Sequence, residues 1–479
     1  MLAILGSPAT FSGQDRASAA ERPNFLVILC DDLGYGDLGC YGHKSIKTPH
    51  LDKLATQGIR FTDCYAAAPV CSASRAGLMT GRTPSRVGVY DWIPQGHVMH
   101  LRKEEITIAS LLKNGGYSTC HVGKWHLNGK FNSPEQPQPG DHGFEHWMST
   151  QNNAGPSHEN PVNFVRNGQP VGPTQGYSCQ VVADEAIQWL EKIRDPNKPF
   201  FQFVCFHEPH EPIASPPDLV AQYPDAKKKG EADYYANVTN MDRAVGKLLA
   251  YLDQAKLTEN TVVYFSSDNG PETLLRYPSA ERSHGSPGPL RGMKLHVYDG
   301  GIRVPGILRW PARVKAGQTS GEPMCSVDLL PTLCELAGVQ PTIDRQLDGT
   351  SLVALLENKP LARTQPLYWH YYRSISGPKA AMRSGDYIIL GLWEKKQIPS
   401  GTVRKGDMDI LKREKLVSFE LYNLKNDLGE QHDLAEKEPM RLQEMRDLLV
   451  KTYTEVQNQM PVWDLPENSS QTRKKNKQK

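Results

Sequence analysis

The 479-residue chain has no long apolar run: its longest, such as Phe25-Leu26-Val27-Ile28-Leu29, fall far short of the roughly 20 residues a bilayer-spanning helix needs, so no membrane partner is expected. It also lacks any Cys-x-x-Cys spacing among its nine cysteines (Cys30, Cys40, Cys64, Cys71, Cys120, Cys179, Cys205, Cys325, Cys334), which argues against a zinc site and against a thioredoxin-like redox pair. Cys30, Cys120 and Cys205 lie in apolar strand-like runs where cysteine packs as a small hydrophobe, so few disulfides are expected. Cys325 and Cys334 read as members of one packed helix and its approach rather than as a pair. A charge excess is missing too. The net charge is +2, and Arg473, Lys474, Lys475, Lys477 and Lys479 contribute five of the positives, which leaves the body at about −3. Nothing in that body resembles a nucleic-acid surface, and the basic tail 466–479 reads as a solvated, disordered terminus. No internal repeat is visible. Residues 1–22 carry a short apolar stretch (Met1 to Leu5) and a small-x-small Ala17-Ser18-Ala19, without a positive n-region and interrupted by Asp15 and Arg16. We read them as a shortened or mis-started export signal, which places the protein in the periplasm or outside the cell.

What is present is an alternation of β-rich apolar runs with helical stretches, which predicts an α/β fold with a large, mostly parallel sheet sandwiched by helices. The runs 24–30, 118–122, 200–206 and 261–265 read as strands, and each is followed at once by a polar cluster. Ligand sites in open α/β sheets lie beyond the carboxyl ends of the strands, so these clusters are expected to converge. The first is Asp31-Asp32 and the fourth Ser266-Ser267-Asp268-Asn269-Gly270-Pro271. Together they form an all-oxygen shell suited to a hard divalent cation, with calcium fitting better than magnesium although oxygen ligands alone do not separate the two. Taken singly, each would serve equally well as a helix cap or a turn. The second strand leads into Gly123-Lys124-Trp125-His126, the third into His207-Glu208-Pro209-His210-Glu211-Pro212. A further segment runs from Arg291 through Lys294 and His296 to Asp299-Gly300-Gly301. Lysine and histidine at such places can neutralise and protonate an ester that bears an oxyanion.

The most informative run is Cys71-Ser72-Ala73-Ser74-Arg75-Ala76-Gly77-Leu78-Met79-Thr80-Gly81-Arg82. It resembles the signature of the type I, formylglycine-dependent sulfatases of the alkaline-phosphatase-like superfamily, in which the cysteine of a Cys-x-Pro/Ala-x-Arg core is oxidised to formylglycine. The other segments follow in the order and spacing of that family, so the resemblance covers about residues 23–460. It implies metal ligands at Asp31, Asp32, Asp268 and Asn269 together with residue 71, a nucleophile precursor at Cys71, a stabilising Arg75, the pair Lys124 and His126, and a sulfate-contacting Lys294. His210 fits the family's third-strand histidine better than His207. Formylglycine would be made by a formylglycine-generating enzyme. Its hydrate would attack sulfur through one hydroxyl and release sulfate by collapse of the other, with Asp268 taking the hydrate proton, His210 protonating the leaving oxygen and His126 starting sulfate release. The helix expected from Ser74 onward would aim its positive end at the anion. Three departures from the family stand out: Ala73 where proline is commonest, Asp299 for the usual glutamate, and His296 where a small or hydroxyl residue is more frequent.

The expected organisation is a catalytic domain over residues 23–365 and a C-terminal α+β subdomain over 366–465, the latter an antiparallel sheet packed by one helix with apolar Leu442, Met445, Leu448, Leu449 and Val456. The stretch 132–178 is too polar for core and reads as pocket-rim loops, which makes Asn152, Asn153 and His158, with Trp92, candidates for substrate contact. The preferred function is hydrolysis of a sulfate ester, of a sulfated carbohydrate or an aryl sulfate. Its rivals are a phosphonate or phosphodiester hydrolase of the same superfamily, a sulfamidase acting on an N-sulfated sugar, and a non-catalytic scaffold that binds sulfated glycans.

Overall fold

A computed structural model describes residues 22–272, 282–341, 344–394 and 402–465. The expected leader, apart from Arg22, and the basic tail lie outside them. At the centre of the molecule, Asn24–Asp31 pairs in parallel with Phe200–Pro209 on one side and Thr261–Ser267 on the other. With both edges bonded, every residue from Phe25 to Asp31 is buried, which is why the strand reads as a continuous apolar run. Ser118–Lys124 and His146–Thr150 extend the parallel block. Beyond Thr261–Ser267 the sheet continues through antiparallel Gly306–Arg309 to Ile59–Phe61 and Gln318–Ser320; at the other edge lies the hairpin Val165–Arg166 and Gln169–Pro170, for ten strands in all.

The two-residue period of the central strand divides the core. Phe25, Val27 and Leu29 join an apolar cluster with Ala73, Met79, Leu112 and Leu330, from helices Cys71–Thr80, Ile108–Asn114 and Leu329–Ala337. Leu26, Ile28 and Cys30 join Leu51, Val182, Met241 and Leu248 on the opposite face, from helices Pro49–Thr56, Ser178–Gln188 and Glu231–Gln254. The fold is therefore the helix-sandwiched, mostly parallel sheet expected. A second, antiparallel sheet of four strands follows in the order Leu367–His370, Pro378–Ser384, Tyr387–Trp393, Leu416–Asn423. Two helices accompany it where one was expected, Lys405–Arg413 and Pro439–Gln459, the second burying Met445, Leu449 and Val456 but leaving Leu448 exposed. Its apolar residues are continuous with the first cluster.

Three local expectations need correction. The central strands run further than their apolar residues suggest, to Asp31, Lys124, Pro209 and Ser267, because pairing on both sides carries polar residues into the sheet. The signature helix begins at Cys71, not at Ser74. The stretch 132–178 is not all loop: His146–Thr150 is a fully buried strand, its polar side chains satisfied internally, as when the His121 ring bonds the Ser149 hydroxyl at 2.7 Å. All nine cysteines are unpaired. Among the described residues no helix is long and apolar enough to cross a membrane.

Candidate active site

The carboxyl ends of the parallel strands deliver the site. Asp31 closes the central strand and Asp32 follows in a left-handed conformation at φ 64°. Asp268 comes directly after Thr261–Ser267, and its amide still donates to the Cys30 carbonyl at 3.0 Å, so the ladder fixes the two acidic turns side by side. Lys124 ends the next strand but one, and His210 stands one residue past Phe200–Pro209. Facing them is the helix Cys71–Thr80. Its N-cap, Val70, is extended and offers no capping side chain, so the unpaired first-turn amides and the positive end of the dipole sit at residue 71 itself. Gly81, left-handed at φ 65°, closes the helix by donating to the Gly77 carbonyl at 2.9 Å.

Opposite charges interlock inside this group. The Arg75 guanidinium donates through Nε to Asp268 Oδ2 at 2.9 Å and through Nη1 to the Lys124 carbonyl at 2.8 Å. The Lys124 ammonium pairs with Asp31 Oδ2, and that of Lys294 with Asp32 Oδ2 at 2.7 Å. Asp32 Oδ1 accepts from Asn269 Nδ2 at 2.7 Å and stands 4.0 Å from Cys71 Sγ, while the Asp32 amide donates to Asp268 Oδ1 at 3.2 Å. His210 Nε2 lies 3.6 Å from Asp32 Oδ2. The potential ligand atoms of Asp31, Asp32, Cys71 and His210 fall within 4.8 Å of one another.

Burial works against ionisation of Asp31, but Lys124, then His210, Arg75 and Lys294, hold its carboxyl well below the ordinary range. Burial and the adjacent Asp31 push Asp268 up to about 7, against the pull of Arg75. The Cys71 thiol is raised by burial, which Lys124 and Lys294 only partly oppose. Lys294 is disfavoured by burial yet raised well above the usual lysine range, chiefly by Asp32. Burial lowers both His210 and His126, with Lys294 adding to it at His210 and Lys124 at His126. Two oxygens aimed into this group, Asp31 Oδ1 and Asn269 Oδ1, are buried without a hydrogen-bond partner. Orphaned acceptors of this kind are rare, and two of them beside a second carboxylate are what a hard divalent cation would satisfy.

Asp31, Asp32, Cys71, Arg75, Lys124, His126, Asp268, Asn269 and Lys294 are buried and His210 nearly so, although their segments span positions 31 to 294. His207 adjoins this group but spends its Nε2 on Thr150 Oγ1, 2.8 Å away, where it braces the neighbouring strand end. His158 is not a rim residue, being fully buried with its Nδ1 3.0 Å from Asn237 Nδ2. The carbonyls of Asn152 and Asn153 accept from Thr150 and Asn163, and Trp92 is half-buried against the core. His296 is half-buried beside Gly292, and burial together with Arg291 lowers it to about 4. Asp299 accepts from Tyr65 and Arg303 inside the core. Two residues act here to which the sequence assigned no role. Glu272 lies 3.4 Å from the Lys294 ammonium and belongs to no recognisable pattern. Ser267 accepts from the Leu33 amide at 3.0 Å and donates to the Asn269 carbonyl at 2.9 Å, tying the two acidic turns together; its place just before Asp268 was the available signal.

The Sulfatase family model matches residues 23–339, and a second, described as N-sulphoglucosamine sulphohydrolase, C-terminal, matches 293–397. Steryl-sulfatase of Homo sapiens is 32% identical over 439 residues, which cover 75% of this chain and 74% of that protein. N-acetylgalactosamine-6-sulfatase of Canis lupus familiaris is 35% identical over 386 residues, covering 76% of this chain and 70% of its own. Among solved structures, Ps i-CgsB in complex with k-i-k-neocarrahexaose is similar with a TM-score of 0.77 at 28% identity, over 93% of this chain and 95% of that one.

Proposed function

The chain belongs to the sulfatase family and is a sulfuric ester hydrolase, and we propose that its substrate is a sulfated carbohydrate, cleaved with residue 71 as nucleophile beside a divalent cation. One observation carries the reading: three carboxylates, three cationic groups and the N-terminus of a helix meet around Cys71 in one buried group. The carbohydrate assignment draws on a relative named as an N-acetylgalactosamine-6-sulfatase and on a neighbour solved in complex with k-i-k-neocarrahexaose.

Asp31, Asp32, Asp268 and Asn269 would hold the cation with residue 71, calcium in preference to magnesium. Bound there, it would polarise a sulfate oxygen and favour ionisation of the attacking hydroxyl. Formylglycine at position 71, installed by a generating enzyme, would supply two hydroxyls on one carbon, one to attack sulfur and one whose collapse expels sulfate. Arg75, Lys124, Lys294 and the helix N-terminus oppose the charge on the sulfate oxygens. Asp268 takes the proton of the attacking hydroxyl. His210, beside Asp32 and Lys294, donates to the leaving oxygen, and His126 accepts the proton whose removal starts sulfate release.

The test compares turnover of aryl sulfate, aryl phosphate and aryl phosphonate esters by protein from its native host, alongside peptide mass spectrometry at residue 71. Preference for the sulfate ester, with a mass lowered by the difference between thiol and aldehyde, is the expected result. Preference for phosphonate would replace the reading with the rival hydrolase, and an unmodified, inactive protein that still binds sulfated glycans would replace it with a scaffold. Because residues 293–397 match the sulphohydrolase model, N-sulfated glucosamine belongs among the substrates tried.

A further inference from the structure

One short connection of the C-terminal sheet runs close to the site, and Arg373 is its buried centre. This residue lies between strands Leu367–His370 and Pro378–Ser384, with only 7% of its surface exposed. Its guanidinium bridges two carboxylates from distant parts of the chain, Asp91 at 3.3 Å and Asp407 at 2.6 Å. It also donates to the Tyr372 hydroxyl at 2.7 Å and the Thr402 carbonyl at 2.8 Å, while Tyr371 donates to the other Asp91 oxygen at 3.1 Å.

What Asp91 anchors matters for the chemistry. Two residues on, the Ile93 amide donates to Ser72 Oγ at 3.0 Å, immediately beside Cys71. The Ile93 carbonyl faces His126 Nε2 at 3.2 Å and also accepts from Gln151 Nε2 at 3.0 Å. A carbonyl can only accept, so Nε2 must carry the ring proton and Nδ1 is left as the basic nitrogen; that Nδ1 is buried and has no other partner. The same connection touches the opposite wall. The Ile375 amide donates to the Leu295 carbonyl at 3.1 Å, and Leu295, left-handed at φ 69°, donates in turn to the Pro69 carbonyl at 2.8 Å. Its neighbour Lys294 is thereby held from the C-terminal side.

We propose that Arg373 is a positioning residue for the reaction: by clamping Asp91 and Asp407 it places the Ile93 carbonyl that selects the His126 tautomer, and it secures the connection that steadies Lys294. This rests on the sulfatase reading for what His126 and Lys294 do, but not for the tautomer itself. The informative variant is the double change Arg373→Met with Asp91→Asn, which removes both ion pairs without stranding a charge at Asp91, while Asp407 keeps the Arg404 amide at 2.9 Å; Arg373→Lys is the conservative partner. A misplacement of about an ångström is expected to lower kcat by roughly 10- to 100-fold per formylglycine-containing site, with KM on an aryl sulfate changed less than about threefold and the lysine variant recovering part of the loss. Nitrogen-15 spectra of histidine-labelled protein should show His126 as a single Nε2-protonated tautomer in the unaltered chain and as a mixture in the double variant. A purely structural role would instead lower the thermal midpoint and leave both kcat per site and the His126 spectrum unchanged, which overturns the proposal. Should the unaltered chain turn over no sulfate ester, the functional reading fails while the tautomer spectra still decide the role of Arg373.

Discussion

Gly270→Ala is a perturbation that adds one methyl group and touches no charged residue, yet it should nearly abolish turnover. A Cβ at this position would stand 2.0 Å from the Gly300 carbonyl oxygen and 3.0 Å from the Gly301 Cα. The obstacle is backbone, so no side-chain rotation relieves it, and the two segments must separate by more than an ångström. They also share a hydrogen bond, from the Gly270 amide to the Gly301 carbonyl at 2.9 Å. One segment carries Asp268 and Asn269. The other is tied by the Gly300 amide to the Arg291 carbonyl at 2.7 Å, at the start of the run that carries Lys294. Overpacking of this size costs about 1–3 kcal/mol of stability, which a large chain tolerates. An ångström of displacement between catalytic groups costs about 100-fold in rate, so activity should fall far more than stability. Steady-state kinetics on an aryl sulfate, read with thermal unfolding, separates the two effects. Gly406→Ala is the control, because nothing lies within 4 Å of its added Cβ. A Gly270→Ala protein that keeps at least half the unaltered kcat would refute the idea that this backbone contact sets the site.

Two further outcomes follow from the structure. Asp31→Ala and Asp268→Ala should each lose the proposed divalent cation and turnover together, measured by elemental analysis and kinetics on the same samples; full metal stoichiometry in both would remove the assigned ligand shell. His370 is buried, with its Nδ1 3.3 Å from the Ser85 hydroxyl, and burial, with Lys379 adding to it, lowers it from 6.5 to about 3. A histidine depressed in the fold stays neutral there while the unfolded chain takes up a proton, so its contribution is complete above about pH 6.5 and is lost as pH falls towards 3, by about 2 kcal/mol at pH 5. His370→Phe should therefore flatten the acid side of the thermal midpoint curve between pH 6.5 and 4, and parallel curves for the two proteins would contradict it.

The convergence of the site was legible because parallel strands impose it: polar residues written just after apolar runs must gather at one edge, whatever their separation in sequence. Strand ends were not legible, since Asp31, Lys124, His207 and Glu208 look like loop residues until pairing on both sides and partners such as Thr150 and Ser178 account for their burial. The helix start was misplaced for a related reason. Val70 is no capping residue, and it leaves the first amides free to face an anion, a local irregularity that has its explanation in the chemistry rather than in helix propensity. His158 shows the opposite error: a histidine in a polar stretch was taken for surface, while Asn237, more than seventy positions away, makes it core. Contacts between side chains that share no element, like those of Arg373 with Asp91 or Glu272 with Lys294, carry no periodic or motif signature. The reacting groups are therefore recognisable from short motifs, but the residues that hold them in register are distributed over the whole chain. Differences between sulfatases that share every motif residue should be sought in that second set.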